Sequence, residues 1–134
     1  MAEFLFKDMV KKKNLENKFL IESAGTSSEE EGNPVHYGTK NKLSELGIST
    51  EGKYARKLKK SDYDKYDYIL TMETRNVRDA IRIFGEDKKN KVRRLLDYSN
   101  NPRDIADPWY TGNFDVTYDD IMEGLEAFIS YLNM

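Results

Sequence analysis

The residues best placed to do chemistry stand together late in the chain, in the run Ala106-Asp107-Pro108-Trp109-Tyr110. Proline stiffens the backbone after the Asp107 carboxylate, and Trp109 and Tyr110 would wall it with apolar surface. Such surroundings raise the pKa of a carboxylic acid and let it keep a proton for a leaving group. The two rings would then grip a flat substrate. An alternative stays open, in which Asp107 caps a turn and the aromatics cover the core, because aspartate is a common turn residue.

The nucleophile that such an acid most often assists is absent, because the chain contains no cysteine. Its single histidine is His36, so a cysteine–histidine pair and a thiolate or histidine metal site have no support. We expect no metal and no cofactor, and a loop or helix-start role for His36. The acidic run Glu29 to Glu31 reads as a solvated loop. The lack of cysteine also fits a reducing, cytoplasmic location.

Composition indicates one polar-surfaced domain spanning residues 1–134, with 38% hydrophobic residues, 34% charged residues and a mean hydropathy of −0.81. The 22 basic and 24 acidic residues leave a net charge of −2. The lysine clusters have acidic neighbours and no interleaved aromatics, so we expect no nucleic-acid partner. No apolar run approaches the roughly 20 residues of a membrane span, so we expect no membrane partner.

Hydrophobic periodicity alternates between helix-like and strand-like segments along the chain. The pattern predicts an amphipathic opening helix that ends in a lysine run, a loop at 23–38, and a long polar loop at 97–115. It predicts strands at 19–21, 66–71 and 91–96, further helices at 39–46, at 74–84 and from about 116 to the end, and a helix start or short turn at 61–64. This alternation favours an α/β fold with a mainly parallel sheet and helices on both faces. Unusually for such a fold, the chain opens with a helix rather than a strand.

Five segments, taken in order, resemble the low molecular weight protein tyrosine phosphatases over essentially the whole chain. They are Met1-Ala2-Glu3-Phe4, Ser23-Ala24-Gly25-Thr26-Ser27, Gly32-Asn33-Pro34, Ala55-Arg56 and Ala106-Asp107-Pro108-Trp109-Tyr110. The resemblance implies the three-layer phosphotyrosine phosphatase I-like fold, with the family's first central strand missing from these residues. It implies phosphotyrosine proteins or small aryl phosphates as substrates of a full-length form.

The resemblance also implies a mechanism and two departures from it. In the family, a Cys-x5-Arg loop after the first strand binds the phosphate and attacks phosphorus, and an aspartate protonates the leaving tyrosinate. Asp107 matches that acid, and Trp109 and Tyr110 match the aromatic wall that binds substrate. No residue matches the cysteine or the loop arginine. Acidic Glu29 or Glu30 stands where many relatives have an aromatic, which would repel an anionic phosphopeptide.

Two interpretations therefore stay open. Either an ordinary phosphatase has lost its first strand and loop through a mis-set start or a shortened chain, or the 134 residues are a genuine non-catalytic binding or interaction module. In both cases we expect the N-terminally truncated domain to be catalytically dead. A missing central strand leaves unpaired backbone groups. We therefore expect either inward collapse of the strands at 19–21 and 66–71 or a homo-oligomer formed through exposed strand edges.

Overall fold

The computed structural model describes all residues from 1 to 134, in two compact units at 1–57 and 58–134, here unit 1 and unit 2. The helices are α1 (Ala2–Lys12), α2 (Tyr37–Glu45), α3 (Asp62–Lys65), α4 (Thr74–Phe84), α5 (Pro108–Thr111) and α6 (Phe114–Tyr131), and the strands are β1 (Ile69–Thr71) and β2 (Val92–Arg94). Single 3-10 turns lie at Glu16–Lys18 and Leu95–Tyr98. None of the helices combines the length and the apolar character that a membrane span requires.

The two helices of unit 1 follow from local sequence signals. In α1, the apolar residues recur at helical spacing, and Leu5, Phe6 and Val10 are buried on one face. Lysines in the last turn of α1 complement the negative end of the helix dipole. The helix predicted at 39–46 is confirmed, with α2 starting two residues earlier. Gly47 follows it at φ +75°, a conformation that glycine adopts without steric cost.

The strand predicted at Phe19–Ile21 is wrong. Phe19 has an extended backbone, but residues 19–21 form no strand, because a strand exists only where a neighbouring chain pairs with it. Instead, single bridges connect later segments of unit 1. Gly25 bridges Lys57 in parallel, and Pro34 bridges Tyr54 in antiparallel orientation.

Unit 2 contains a two-stranded parallel sheet in which Ile69 pairs with Val92 and Thr71 with Arg94. Both strands were predicted, and both are shorter than the predicted ranges of 66–71 and 91–96. The sheet consists of β1 and β2 alone, so the predicted collapse of a further strand onto β1 is wrong. Self-association through an exposed edge stays a prediction.

Helices cover both faces of this sheet. On one face, α4 packs through Ala80 and Phe84 against Val92, with Ile69 beside them. α6 packs on the 3-10 turn at Leu95–Tyr98, directly after β2, and its Phe128 contacts Tyr68, the residue before β1. Successive strand residues point to opposite faces, so Val92 faces α4 while Arg93 faces away from it. The predicted α/β class, with a parallel sheet and helices on both of its faces, is confirmed.

The connection between β1 and β2 is set by the ends of α4. Glu73 and Asn76 form a reciprocal capping box at its start, and Gly85 ends it at φ +89°. The predicted bounds of this helix, 74–84, are confirmed. The capping places the start of α4 directly after β1, at the carboxyl end of the sheet.

Candidate active site

The segment that carries Asp107 starts at the carboxyl end of β1. The Ile105 amide donates to the backbone oxygen of Met72, the residue after β1, at 2.9 Å. Ile105 is buried, which fixes the segment to the core of unit 2. In parallel α/β sheets, ligand sites lie beyond the carboxyl ends of the strands. This anchor therefore sets Asp107, two residues later, at the end of the sheet where such sites occur.

A second anchor comes from α6. The buried Thr117 hydroxyl donates to the backbone oxygen of Ala106 at 3.1 Å. Asn113 caps the start of α6 by accepting from the Val116 amide at 3.1 Å. The short stretch between the two anchors, residues 107–112, is thus held at both ends.

Within that stretch, Asp107 caps the four-residue helix α5. Its Oδ1 accepts from the Trp109 amide at 2.9 Å, Pro108 occupies the first helical position, and Gly112 ends the helix at φ +72°. The local sequence accounts for all three features. The turn-capping role of Asp107, left open as an alternative, is confirmed.

The predicted apolar enclosure of Asp107 is wrong, as is the idea that the aromatics cover the core. Asp107 is exposed, and Trp109 and Tyr110 keep 60% and 77% of their surface exposed. The catalytic role of Asp107 and the substrate-binding roles of Trp109 and Tyr110 stay predictions.

An ion network that the sequence analysis did not predict holds Asp104, three residues before Asp107, in place. The Arg94 guanidinium, at the end of β2, donates to Asp104 Oδ1 at 3.0 Å and to Asp97 Oδ1 at 2.8 Å. The Thr74 amide, at the start of α4, also donates to Asp104 Oδ1, at 2.9 Å. Burial raises the pKa of Asp104, but the hydrogen bonds from Thr74 and Arg94 outweigh it and lower the pKa overall. The Arg94-x2-Asp97 spacing was the signal available in the sequence.

Arg103, in the same segment before Asp107, binds two carboxylates of α6. Its guanidinium donates to Glu123 at 2.9 Å and to Asp120 at 2.8 Å, and these bonds raise the pKa of Arg103. The two carboxylates stand three residues apart and therefore share one face of the helix. The spacing of Asp120 and Glu123 was visible in the sequence. Their partner Arg103, 17 to 20 residues away, could not be identified from it.

In unit 1, four of the five resembling segments come together. The Glu3 carboxylate accepts from the Ser23 hydroxyl at 2.7 Å. The amides of Gly25 and Gly32 donate to the backbone oxygens of Arg56 and Ala55, at 2.8 and 2.7 Å. The segments that carried the resemblance are thus structural partners within this unit.

Glu3 itself is a buried carboxylate surrounded by donors. Lys53 Nζ lies 2.7 Å from Oε1 and Lys7 Nζ 2.8 Å from Oε2. Burial alone raises the pKa of Glu3, but hydrogen bonds from the two lysines and Ser23 outweigh it and lower the pKa from 4.5 to about 2. Glu3 is therefore ionised at neutral pH and serves to hold unit 1 together.

The remaining candidates have structural roles. His36 caps α2, its Nδ1 accepting from the Gly38 amide at 3.2 Å, so its predicted helix-start role is confirmed. Residues 29–31 are exposed, as predicted for a solvated loop, and Glu30 accepts from the Asn33 side chain at 2.8 Å. The chain contains no thiol that Asp107, the predicted acid, could assist.

Comparison with known proteins identifies the family. The sequence profile described as low molecular weight phosphotyrosine protein phosphatase matches residues 1–134. The chain is 38% identical over 132 residues to the low molecular weight protein-tyrosine-phosphatase YfkJ of Bacillus subtilis, covering 97% of this chain and 85% of that protein. It is 32% identical over 133 residues to PtpA of Staphylococcus aureus, covering 98% and 84%.

The fold agrees with that assignment. The crystal structure of the Bacillus subtilis YfkJ superimposes with a TM-score of 0.93 at 36% identity, over 98% of this chain and 84% of that chain. Sequence and fold therefore lead to one conclusion: the chain belongs to the low molecular weight phosphotyrosine protein phosphatase family.

Proposed function

We propose that these 134 residues form the acid-loop part of a tyrosine phosphatase and do not hydrolyse phosphate esters by themselves. One observation carries the proposal. The Ile105–Met72 hydrogen bond anchors the Asp107 segment at the carboxyl end of the parallel sheet, while the chain holds no cysteine. The substrates of the complete site are phosphotyrosine proteins or small aryl phosphates, and the names of the relatives, low molecular weight protein-tyrosine-phosphatases, support the first of these.

Asp107 is the proton donor in this proposal. In the complete site, the thiolate of the Cys-x5-Arg loop would form a bond to phosphorus as the bond between phosphorus and the aryl oxygen breaks. The Asp107 proton passes to that oxygen, so the leaving group departs as a neutral phenol and the phosphoryl group stays on sulfur until water displaces it. The carboxylate then accepts a proton from the water that attacks phosphorus in the second step. Trp109 and Tyr110, exposed beside it, contact the aryl ring.

We expect no turnover because these residues include neither a thiolate nor a phosphate-binding loop. Without a thiolate there is no covalent route, and without a phosphate loop most of the affinity for the anion is lost. The absence of turnover is tested by incubating the purified chain with an aryl phosphate and measuring the phenol released over time. We expect the uncatalysed rate. Saturable hydrolysis that co-purifies with the chain through two unrelated columns contradicts the proposal.

The role of Asp107 is tested in a chimera, in which a strand and a Cys-x5-Arg loop of the kind that the family resemblance implies precede Met1. We expect phosphatase activity, and a loss of about 10²- to 10⁴-fold on Asp107→Asn, the usual contribution of general acid catalysis. Asparagine caps helices as well as aspartate does, so α5 stays formed.

The matched control is Asp119→Asn, which removes the same charge from an exposed position on α6. We expect it to leave the chimera's kcat within about twofold, as for surface substitutions in general. Equal activity of Asp107→Asn and Asp119→Asn contradicts the assignment of Asp107.

A second candidate function, self-association, is favoured by the difference between the two sheet edges. On the outer edge of β2, the amides of Val92 and Arg94 donate to the carboxylates of Asp87 and Asp97, at 3.2 and 2.9 Å. On β1, Ile69 N donates to Lys91 O, so the neighbouring Leu70 amide points to the other edge, where no acceptor meets it. Open edges of this kind pair with other chains.

We infer that a second copy pairs at β1, which sedimentation velocity over a wide concentration range tests. We expect a concentration-dependent dimer that Leu70→Pro abolishes, because proline removes the amide while edge strands tolerate it. A monomer at every concentration, or a dimer unaffected by Leu70→Pro, contradicts pairing at this edge.

A further inference from the structure

An aromatic cluster in unit 2 plays no part in the chemistry assigned to Asp107. Phe128 of α6 is buried at its centre, and Tyr68 and Tyr98 meet it edge to face with ring centroids 5.1 and 5.0 Å away. Tyr131 packs against Tyr98 at 4.9 Å. Such pairs hold each ring at a defined angle. The three tyrosines around Phe128 therefore form a fixed surface, here the tyrosine cluster.

The tyrosine cluster is open to solvent and has unused donors. Tyr68 and Tyr131 keep 42% and 59% of their surface exposed, and Tyr98 is partly buried. None of the three hydroxyls hydrogen-bonds to another protein group, although tyrosine hydroxyls usually find a partner when they are partly buried. Three phenol donors on one surface are thus left for an outside acceptor.

Arg93 brings a positive charge to the same face of the sheet. Val92 and Arg94 face α4, so Arg93 between them points to the opposite face, together with its cross-strand partner Leu70. Arg93 is exposed and has no ion pair, whereas the adjacent Arg94 binds two carboxylates.

The charge on Arg93 reaches the tyrosine cluster. Burial raises the pKa of the Tyr98 phenol, and the positive charge of Arg93 opposes that rise. The phenols of Tyr131 and Tyr68 act on Tyr98 as well, so all four groups lie close enough to interact. Two carboxylates interact with these groups. Asp97 acts on Tyr98 and is already bound by Arg94, and Asp87 interacts with Arg93 but already accepts from the amides of Lys91 and Val92.

We propose that the tyrosine cluster and Arg93 form a binding site for an aromatic group that carries an oxyanion. The flat part of the ligand packs on the exposed rings of Tyr68 and Tyr131. Its oxyanion accepts hydrogen bonds from the Arg93 guanidinium and the Tyr98 hydroxyl, which is the favourable pairing of an anion with charged and neutral donors. An aryl phosphate and an aryl carboxylate share this chemistry.

The test is a titration of the ¹⁵N-labelled chain with phenyl phosphate, followed by amide chemical shifts. We expect saturable shifts at residues 93–98 and 128–131. Arg93→Gln should weaken the affinity at least about tenfold, since one charge-assisted hydrogen bond contributes about 1.5–3 kcal/mol. Tyr98→Phe, which keeps the ring and removes the hydroxyl, should weaken it about threefold.

The matched control is Arg78→Gln, because Arg78 is likewise exposed and has no ion pair, but lies on α4. We expect it to leave the affinity unchanged. Equal weakening by Arg78→Gln and Arg93→Gln means that net charge alone governs binding and overturns the site. Absence of saturable shifts at 93–98 and 128–131 also overturns it.

Three further probes resolve the ligand class. Benzoate should bind the same residues if any oxyanion suffices, whereas binding by phenyl phosphate alone narrows the ligand to aryl phosphates. Inorganic phosphate and benzyl alcohol should each bind more weakly, and equal binding by either one overturns the requirement for a ring and an anion together. Shifts at 107–112 report on the Asp107 segment separately, so the failure of one site is distinguishable from that of the other.

Discussion

Unit 1 and unit 2 both bury apolar side chains, but unit 1 in addition joins its segments through a buried ion cluster. Unit 1 has no regular sheet, and its segments meet around the buried Glu3 carboxylate and its three donors. Unit 2 is a sheet with helices on both faces, and its centre is apolar, with Leu95 and Leu96 fully buried. The stability contributed by an ion cluster depends on pH and on every charged partner, whereas that of apolar packing depends on side-chain volume and shape. The two units should therefore fail under different perturbations.

The largest effect should come from the core of unit 2. Leu96 has no exposed surface, so Leu96→Ala should lower the free energy of unfolding by about 4 kcal/mol, the usual cost of lost transfer energy plus a cavity. Urea denaturation measures the change, and amide exchange in α6 should accelerate. The control is Leu20→Ala at an exposed position, expected to cost less than about 0.5 kcal/mol. Similar costs for both leucines contradict an apolar centre at Leu96.

The corresponding change in unit 1 is Glu3→Gln. It removes the negative charge but keeps the shape, leaving Lys53 without its counter-charge, and should cost about 3 kcal/mol. Amide exchange in α1 is the most direct readout. Glu16→Gln, at an exposed position, is the matched control and should have little effect. If Glu3→Gln is as mild as the control, the ion cluster does not hold unit 1 together.

Acid should distinguish the units further. The pKa of Glu3 is about 2 in the folded chain against an ordinary value of 4.5. The stability that Glu3 contributes is therefore fully present above pH 4.5 and is lost as the pH falls from 4.5 toward 2. We expect the urea midpoint of the wild-type chain to fall over this range more steeply than that of Glu3→Gln. Parallel pH profiles of the two proteins would exclude Glu3 as the source.

A smaller effect is expected where α6 packs most closely. A Cβ added at Gly124 would lie 2.5 Å from Leu95 Cγ, which is fully buried and has little room to move. Gly124→Ala should therefore destabilise the chain by about 1–2 kcal/mol, because the overlap exceeds the gain of about 1 kcal/mol in helix propensity. Ser130→Ala, at an exposed position of the same helix, isolates the propensity gain and should stabilise slightly. Stabilisation by both variants contradicts the close approach.

The smallest effect on stability should be in residues 107–112, the stretch that carries Asp107. Tyr110 is 77% exposed, so Tyr110→Ala should change the free energy of unfolding by less than about 0.5 kcal/mol. By contrast, Asp107→Ala removes the cap of α5 and should cost about 1 kcal/mol. Thermal denaturation of the two variants measures both. A larger cost for Tyr110→Ala than for Asp107→Ala would mean that the ring supports the loop.

Helix periodicity and end signals were sufficient to predict α1, α2, α4 and α6, because each helix satisfies its own backbone through neighbours three or four residues away. The segment at Phe19–Ile21 had an equally clear apolar pattern but formed no strand. Strand pairing depends on a partner elsewhere in the chain, and no local pattern reports whether that partner is present.

The sequence by itself determined that α1, α2, α4 and α6 are helices, that the chain has no thiol and that Asp107 caps a turn, since each of these depends on residue identity or on contacts within a few positions. It did not predict α5, which lies inside the predicted loop at 97–115. Tertiary structure alone decided that Trp109 and Tyr110 are exposed and that Ile105 docks at Met72. It also decided that Arg94 and Arg103 bind carboxylates on other elements. These features join residues 10 to 33 positions apart, and such contacts exist only after the elements have packed.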